Sequence, residues 1–112
     1  MIHATIRMVI PPSKRTEALQ ILTAIVRRNR MMPGCLGCRM YQEVEDRNAI
    51  MIDEIWEHME DLESNLRSKD YLSVLLVVEM AMEKPDIRFD TISESTGVDT
   101  IEKARSTLNR LV

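Results

Sequence analysis

Hydrophobic and polar residues alternate in four segments of the chain, which we expect to be β-strands. In the first, every second residue from Ile2 to Ile10 is apolar, so one face of the strand is suited to burial. The other three are Cys35 to Val44, Ala49 to Glu57 and Asp86 to Ser93. The residues "EDRN" between the middle two have a turn composition, which predicts a β-hairpin.

Apolar residues recur at helical spacing in the remaining regions. "PPSK" ends the first strand and starts a helix that we expect from Ser13 to about Arg30. Its repeating stripe is Ala18, Leu19, Leu22, Ile25, Val26 and Asn29. Helical pattern resumes near Met59 in two pieces, and Ser68 can cap the second, Lys69 to Glu83. That piece is nearly apolar all round, so we expect a partner subunit to cover part of it. A terminal helix carries an apolar stripe of Ile101, Ala104, Leu108, Leu111 and Val112.

The order of elements is therefore β-α-β-β-α-β followed by a helix. This order predicts an α+β, ferredoxin-like protomer with an antiparallel sheet and helices on one face. We expect a ferredoxin-like domain over residues 1–94 and a loop-and-helix extension over residues 95–112. The second sheet face also carries apolar residues, so we predict a homodimer in which two sheets face each other.

Composition and charge narrow the classes of partner. The sequence is 45% hydrophobic and 29% charged, and its net charge is −3. An acidic balance argues against nucleic acid, and no apolar run is long enough to span a membrane. The N-terminus lacks the features of a signal peptide, so a cytoplasmic location is expected. The cluster "RRNR", Arg27 to Arg30, is interpreted as cations that suit the end of a helix.

The two cysteines, Cys35 and Cys38, raise the question of a metal or redox site. In a regular strand, residues three apart point to opposite faces, so these thiols could meet only if the neighbouring glycines bent the backbone. Structural zinc takes four ligands, and only His3 and His58 remain to complete a set. We therefore expect free thiols and no metal. A thiol-based redox protein remains an alternative.

The predicted hairpin places several polar side chains in register. If "EDRN" forms the whole loop, Arg39 lies opposite Glu54 and Tyr41 lies opposite Ile52. Arg39, Tyr41, Glu54 and Trp56 then share a face that could line a pocket for a planar, oxygenated ligand. The alternative is a cross-strand salt bridge beside a core tryptophan. A loop longer or shorter by one residue moves one strand's side chains to the other face.

The segment from Pro33 to Leu75 resembles the core of the antibiotic biosynthesis monooxygenase family. The matching residues are Pro33, Gly34, Cys35, Tyr41, Glu54, Trp56, Leu62, Leu66, Ser68 and Tyr71. The resemblance implies a dimeric α+β barrel of two ferredoxin-like protomers. It also implies oxygenation of quinols and polycyclic phenols in which the substrate supplies the electrons and no flavin, haem or metal is needed.

The sequence departs from the family where many members carry a histidine, because the matching position here is Asn65. Haem degradation, a branch of the family, is not expected, because its required residues are replaced by Ile6, Asn65 and Leu75. The candidate catalytic residues are Glu54, which could act as a base if burial raised its pKa, and His3. The candidate substrate-binding residues are Trp56, Asn65, Tyr41, Arg39 and Tyr71. Because a general base is not obvious, a non-catalytic dimeric binding module of the same fold is the second hypothesis.

Overall fold

The structure, a computed structural model, describes the backbone of residues 1–110 and the side chains of residues 1–106. Four strands form one antiparallel sheet in the order β2-β3-β1-β4. Their bounds are Ile2–Val9 for β1, Cys35–Gln42 for β2, Ala49–Trp56 for β3 and Asp86–Thr91 for β4. The predicted α+β, ferredoxin-like fold is confirmed, with each strand ending within two residues of its expected limit.

Helices join these strands. A short 3-10 turn, Pro12–Lys14, leads into α1, Arg15–Arg30. After β3 come α2, Met59–Leu66, and α3, Tyr71–Glu79. Ser68 Oγ accepts the backbone N–H of Tyr71 at 3.3 Å in the turn before α3. The helix begins two residues later than expected, so its N-cap position is Asp70 rather than Ser68. None of the described helices is long and apolar enough to cross a membrane.

The core lies between the sheet and the helices. Every second residue of β1 is buried, and Ile6 and Met8 pack with Leu22 and Val26 of α1. A smaller cluster surrounds Trp56 and is completed by Ile2, Ala4 and Leu62 of α2. The apolar face of β1, which repeats every two residues, therefore packs against the apolar face of α1, which repeats every 3.6 residues.

The third helix is shorter than expected and less buried. It ends at Glu79, because the chain then extends and Met82 donates its backbone N–H to Val9 O at 2.8 Å. Val74 and Val77 are buried, whereas Leu72, Leu75 and Leu76 are 63%, 44% and 50% exposed. One protomer thus leaves the outward leucines of α3 uncovered.

The predicted register of the hairpin is wrong by one residue. Glu43 bonds Ala49, so the loop holds five residues rather than four, and Cys38 lies opposite Glu54. Arg39 pairs with Asp53 and Tyr41 pairs with Met51. Because side chains alternate along a strand, Arg39 and Tyr41 lie on the face away from Glu54 and Trp56.

A β-bulge corrects the expectation for the cysteines. The register shifts between Cys35 and Gly37, so Cys35 lies opposite Trp56 while Cys38 lies opposite Glu54. The extra residue, Leu36, cancels the alternation that a regular strand would impose. Both thiols therefore lie on the helix side of the sheet.

The chain ends in α4, Val98–Arg110. Its Val98 and Ile101 are 68% and 60% exposed. The side chain of Leu108 and all of Leu111 and Val112, which complete the predicted apolar stripe, lie outside the described residues.

Candidate active site between sheet and helices

A buried carboxyl group forms the centre of the candidate site. Glu54, on β3, is 6% exposed and faces the helices. Its Oε1 accepts Trp56 Nε1 at 3.0 Å, and its Oε2 accepts Asn29 Nδ2 at 2.8 Å. Burial raises the pKa of Glu54 above its ordinary value, although the two hydrogen bonds lower it in part. A carboxyl group with a raised pKa holds its proton more firmly than an exposed one, and such groups are common in acid–base sites.

The last turn of α1 supplies the polar partners of Glu54. Asn29 belongs to the helix's apolar stripe and is 1% exposed, so its amide points into the protein. Arg28 Nη1 donates to Asn29 Oδ1 at 3.2 Å and to Asn65 Oδ1 at 2.9 Å. The guanidinium of Arg28 is thus linked to the carboxyl group of Glu54 through one amide side chain.

Asn65 contributes from α2 and retains an unused donor. The residue is fully buried, and its Oδ1 accepts the bond from Arg28. Its Nδ2 has no hydrogen-bond partner among the described residues. An unpaired buried N–H costs free energy, so this position favours an acceptor supplied by a ligand or a water molecule.

Aromatic side chains flank the carboxyl group. Trp56 is fully buried two residues along the same strand, and Leu62 of α2 packs in its cluster. Tyr71 lies half-buried at the start of α3. Burial and, less strongly, the charge of Glu54 raise the pKa of Tyr71, so its hydroxyl is a hydrogen-bond donor at neutral pH. The structure therefore brings together Glu54, Trp56, Asn65 and Tyr71 of the predicted site.

A groove lies between α1 and the start of α3, and it meets this cluster at Arg28. It has a volume of about 440 Å³ and is lined by Ile21, Ala24, Ile25, Arg28, Asp70 and Ser73. Within its lining, Arg28 Nε lies 2.7 Å from Asp70 Oδ2. The guanidinium of Arg28 thus contacts both Asp70 in the groove and Asn65 in the buried cluster.

The other predicted site residues lie on the outer face of the sheet. His3 Nε2 contacts Asp53 Oδ1, and Thr5 lies 3.3 Å from the same nitrogen. Arg39 and Tyr41 border a depression of about 290 Å³ that also includes Asp53. These three residues therefore lie on one face of the sheet, near Asp53, and the sheet separates them from Glu54. They are His3, Arg39 and Tyr41.

The cysteines are free thiols beside the buried carboxyl group. Burial, with the charge of Glu54, raises the pKa of Cys38 to about 12 and also raises that of Cys35. A thiol with a raised pKa is a poor nucleophile. Within the described residues, no group of three or more His, Cys, Asp or Glu side chains could hold a metal ion.

The model of the antibiotic biosynthesis monooxygenase family matches residues 1–74, well over half of the chain. The chain belongs to the antibiotic biosynthesis monooxygenase family. The match includes every residue of the cluster around Glu54 and every residue that lines the groove, and it ends in α3. A comparison with curated proteins finds no significant match.

Solved structures agree with the family's fold. A protein from Deinococcus radiodurans superposes with a TM-score of 0.79 at 14% identity, covering 87% of this chain and 97% of its own. One from Mycobacterium tuberculosis gives 0.77 at 16% identity, covering 86% and 98%. A crystal structure of an antibiotic biosynthesis monooxygenase gives 0.76 at 16% identity, covering 84% and 100%. At these identities the likeness shows the fold alone.

Sequence reasoning missed Arg28 and Asn29 as members of the site. Both were assigned to the end of a helix, where cations are common. A signal was present, because Asn29 falls on the buried stripe of α1, where a polar side chain needs a partner. The partner itself, Glu54, becomes visible only once the packing of α1 on the sheet is known.

Proposed function

We propose that this protein is a homodimeric monooxygenase that oxidises a quinol or another electron-rich aromatic compound with O2 and needs no cofactor. Membership of the family supports the reaction class. The observation that carries the proposal is the buried carboxyl group of Glu54, which accepts hydrogen bonds from Asn29 and Trp56 and whose pKa is raised by burial. It is the protein's candidate general base.

In the proposed reaction Glu54 takes the proton of a phenolic O–H, leaving an electron-rich anion that O2 can attack. For a hydroquinone, one atom of O2 becomes a ring hydroxyl and the other leaves as water. The substrate provides four electrons, two for the hydroxylation and two for its oxidation to the quinone. The protein's task is then to bind, deprotonate and shield the substrate, which agrees with a buried carboxyl group bonded to Trp56.

The remaining residues of the cluster have binding roles in this proposal. Trp56 forms a flat apolar wall, as its buried ring and its hydrogen bond to Glu54 permit. Asn65 Nδ2, which has no partner among the described residues, donates to an oxygen of the substrate. Tyr71 adds a second hydroxyl donor at the edge of the cluster.

The outer sheet face supports the proposed dimer. Met51 and Ile55 are only half-buried there, and Tyr41 is 43% exposed. A second protomer's sheet would cover these side chains and the pair of His3 with Asp53. We assign Arg39 and Tyr41 to this interface and His3 to its edge, rather than to the site around Glu54. Residues 1–94 form the catalytic domain in this proposal, and residues 95–112 extend it.

The test is O2 consumption by purified, metal-stripped protein over a panel of hydroquinones, naphthoquinols and anthrones. The proposal predicts saturable uptake above autoxidation, with Trp56→Ala and Asn65→Ala much reduced. Glu54→Gln keeps the shape of the side chain but removes the base, so it should be the least active. His3→Gln, on the other sheet face, serves as the control and should retain activity.

A non-catalytic binding module of the same fold is the second candidate. It is favoured by Asn65, which stands where many family members carry a histidine and which cannot take a proton. This candidate predicts that the panel binds to the folded dimer without any O2 uptake. Binding of the panel compounds without O2 uptake would support the non-catalytic binding module over the monooxygenase.

A further inference from the structure

The groove between α1 and α3 has both apolar and charged residues in its lining. Three apolar residues of α1, Ile21, Ala24 and Ile25, form part of its lining, and Arg28 with Asp70 forms a charged part. Its volume of about 440 Å³ falls in the range of roughly 300–1,000 Å³ that is usual for small-molecule sites. The groove therefore offers both an apolar surface and a cation.

This cation is held by a replaceable partner. Arg28 has a side chain that is 22% exposed, while that of Asp70 is 61% exposed. An ion pair with an exposed member contributes little to stability, because water competes for both charges. By contrast, the bonds of Arg28 to Asn29 and Asn65 are partly buried and anchor the guanidinium from the inside. A ligand can thus displace Asp70 without displacing Arg28.

A second, independent observation concerns Asn65, the residue to which the guanidinium donates a hydrogen bond. Asn65 is fully buried, and its Nδ2 donor has no partner among the described residues, whereas the Oδ1 of the same amide accepts from Arg28. Arg28 and Asn65 are therefore already linked. Together they offer N–H donors, and an oxygen-bearing ligand can satisfy the one that is unpaired.

We propose that the groove admits an aromatic acid, whose anionic group replaces Asp70 on Arg28. This deepens the proposed function by naming its substrate class, an aromatic ring with an ionised carboxylate or an equally acidic group as well as a hydroxyl. The ring lies along the apolar wall of α1. The anion pairs with Arg28, and the hydroxyl extends toward Asn65 and Glu54.

The arrangement of charge supports this orientation of the ligand. Glu54 is acidic, so it would repel an anionic group placed next to it, whereas a hydroxyl group in that position can donate its proton to Glu54. Arg28 is linked to Glu54 through Asn29, so the two ends of the ligand meet groups of opposite charge a short distance apart. A neutral phenol lacks the attraction at the Arg28 end and should bind more weakly.

Isothermal titration calorimetry tests the proposal with two matched probes, 1-hydroxy-2-naphthoate and 1-naphthol, which differ by the carboxylate. A charge-assisted hydrogen bond predicts that the acid binds about tenfold to a hundredfold more tightly. Arg28→Gln should remove this preference and leave the affinity for 1-naphthol nearly unchanged. Asp70→Asn, a change at an exposed position, should tighten binding of the acid by about 1.5-fold to fivefold, because the competing carboxylate is gone.

Arg27→Gln is the matched control, since Arg27 is exposed on the neighbouring position of α1 and should leave both affinities unchanged. Equal affinity for the two probes, binding of neither, or a preference that survives in Arg28→Gln would each overturn the proposal. If Arg28→Gln fails to fold, unchanged binding of the acid by Asp70→Asn overturns it. Failure of the proposed function gives a different result, namely no O2 uptake with quinols, irrespective of the affinities for the two probes.

Discussion

Replacing Asn29 with alanine tests the central electrostatic arrangement of the site without assuming any reaction. Asn29 Nδ2 donates to Glu54 Oε2 at 2.8 Å, and this bond holds the pKa of Glu54 below the value that burial alone would produce. The variant should therefore raise the pKa of Glu54 further. It also removes the acceptor that Asn29 offers to Arg28.

The size of the effect depends on the charge of Glu54. A hydrogen bond to an ionised group contributes about 1.5–3 kcal/mol, whereas one between neutral groups contributes about 0.5–1.5 kcal/mol. Both residues are buried, at 1% and 6% exposure, so solvent screens the interaction little. Asn29→Ala should thus lower the free energy of unfolding by about 1–1.5 kcal/mol more when Glu54 is ionised than when it is protonated. The cavity left by the lost amide adds a cost that does not vary with pH.

The sign of the pH dependence follows from the raised pKa of Glu54. Burial of the neutral carboxyl group costs least, so its contribution to stability is fully present below the ordinary glutamate pKa and is lost as pH rises through the folded-state pKa. The loss should be larger in Asn29→Ala than in the native protein. Urea unfolding followed by circular dichroism, from roughly pH 4 to pH 9, gives the difference between the two proteins at each pH.

Trp56 provides a second readout, because it is the only tryptophan and its Nε1 donates to Glu54. Its fluorescence should titrate with Glu54, with the midpoint moved to higher pH in Asn29→Ala and the titration absent in Glu54→Gln. Asn48→Ala, in the loop before β3, is the control and should leave the midpoint unchanged. A midpoint that stays in place or falls in Asn29→Ala, or a stability difference independent of pH, would refute the reasoning.

Three further outcomes follow from the same contacts. Glu54→Gln should lower the rate of O2 uptake by about 10²–10⁴-fold, and native activity should rise with pH through the raised pKa of Glu54, which steady-state oxygen-electrode assays would measure. Gly34→Ala should lower the free energy of unfolding by about 2–4 kcal/mol in urea titrations. Gly34 has a φ of 82°, and a Cβ there would collide with the Asp61 side chain that caps α2. A variant as stable as the native protein would disprove this. Cys38, with its pKa raised to about 12, should resist iodoacetamide in the native protein and Cys35 should react slowly, as mass spectrometry would show; rapid labelling of both would revive the thiol-based redox alternative.

Local pattern was sufficient to predict the elements. The alternation in β1 and the helical stripe of α1 each record which face is buried, and the structure buries those faces. The burial of α3 was less predictable. The apolar pattern of α3 indicated burial on several sides, yet Leu72, Leu75 and Leu76 are exposed in one chain.

The membership of the site was harder to predict, because it depends on register rather than on pattern. One extra loop residue moved Arg39 and Tyr41 to the outer face and brought Cys38 opposite Glu54. Both registers fit the same turn composition, so local sequence could not decide between them. Glu54 and Trp56 were predicted on one face irrespective of this choice, since they are two residues apart on one strand.

The polar partners of Glu54 come from a different element that is distant in sequence. Asn29 lies 25 residues before it, and the bond exists because α1 crosses the sheet at that point. A buried asparagine on an apolar stripe indicates that a partner exists, but packing of the helix on the sheet determines which one. Contacts of this kind are set by tertiary geometry and carry no local signal.

The central claim is that the site around Glu54 inserts one oxygen atom of O2 into an aromatic substrate without a cofactor. The most direct test is to incubate metal-stripped protein with the best quinol of the panel under ¹⁸O2 and to analyse the product by mass spectrometry. The account predicts one labelled oxygen atom in each product molecule, no hydrogen peroxide, and loss of the label in Glu54→Gln. Unlabelled quinone formed together with hydrogen peroxide, or labelling that persists in Glu54→Gln, would contradict it.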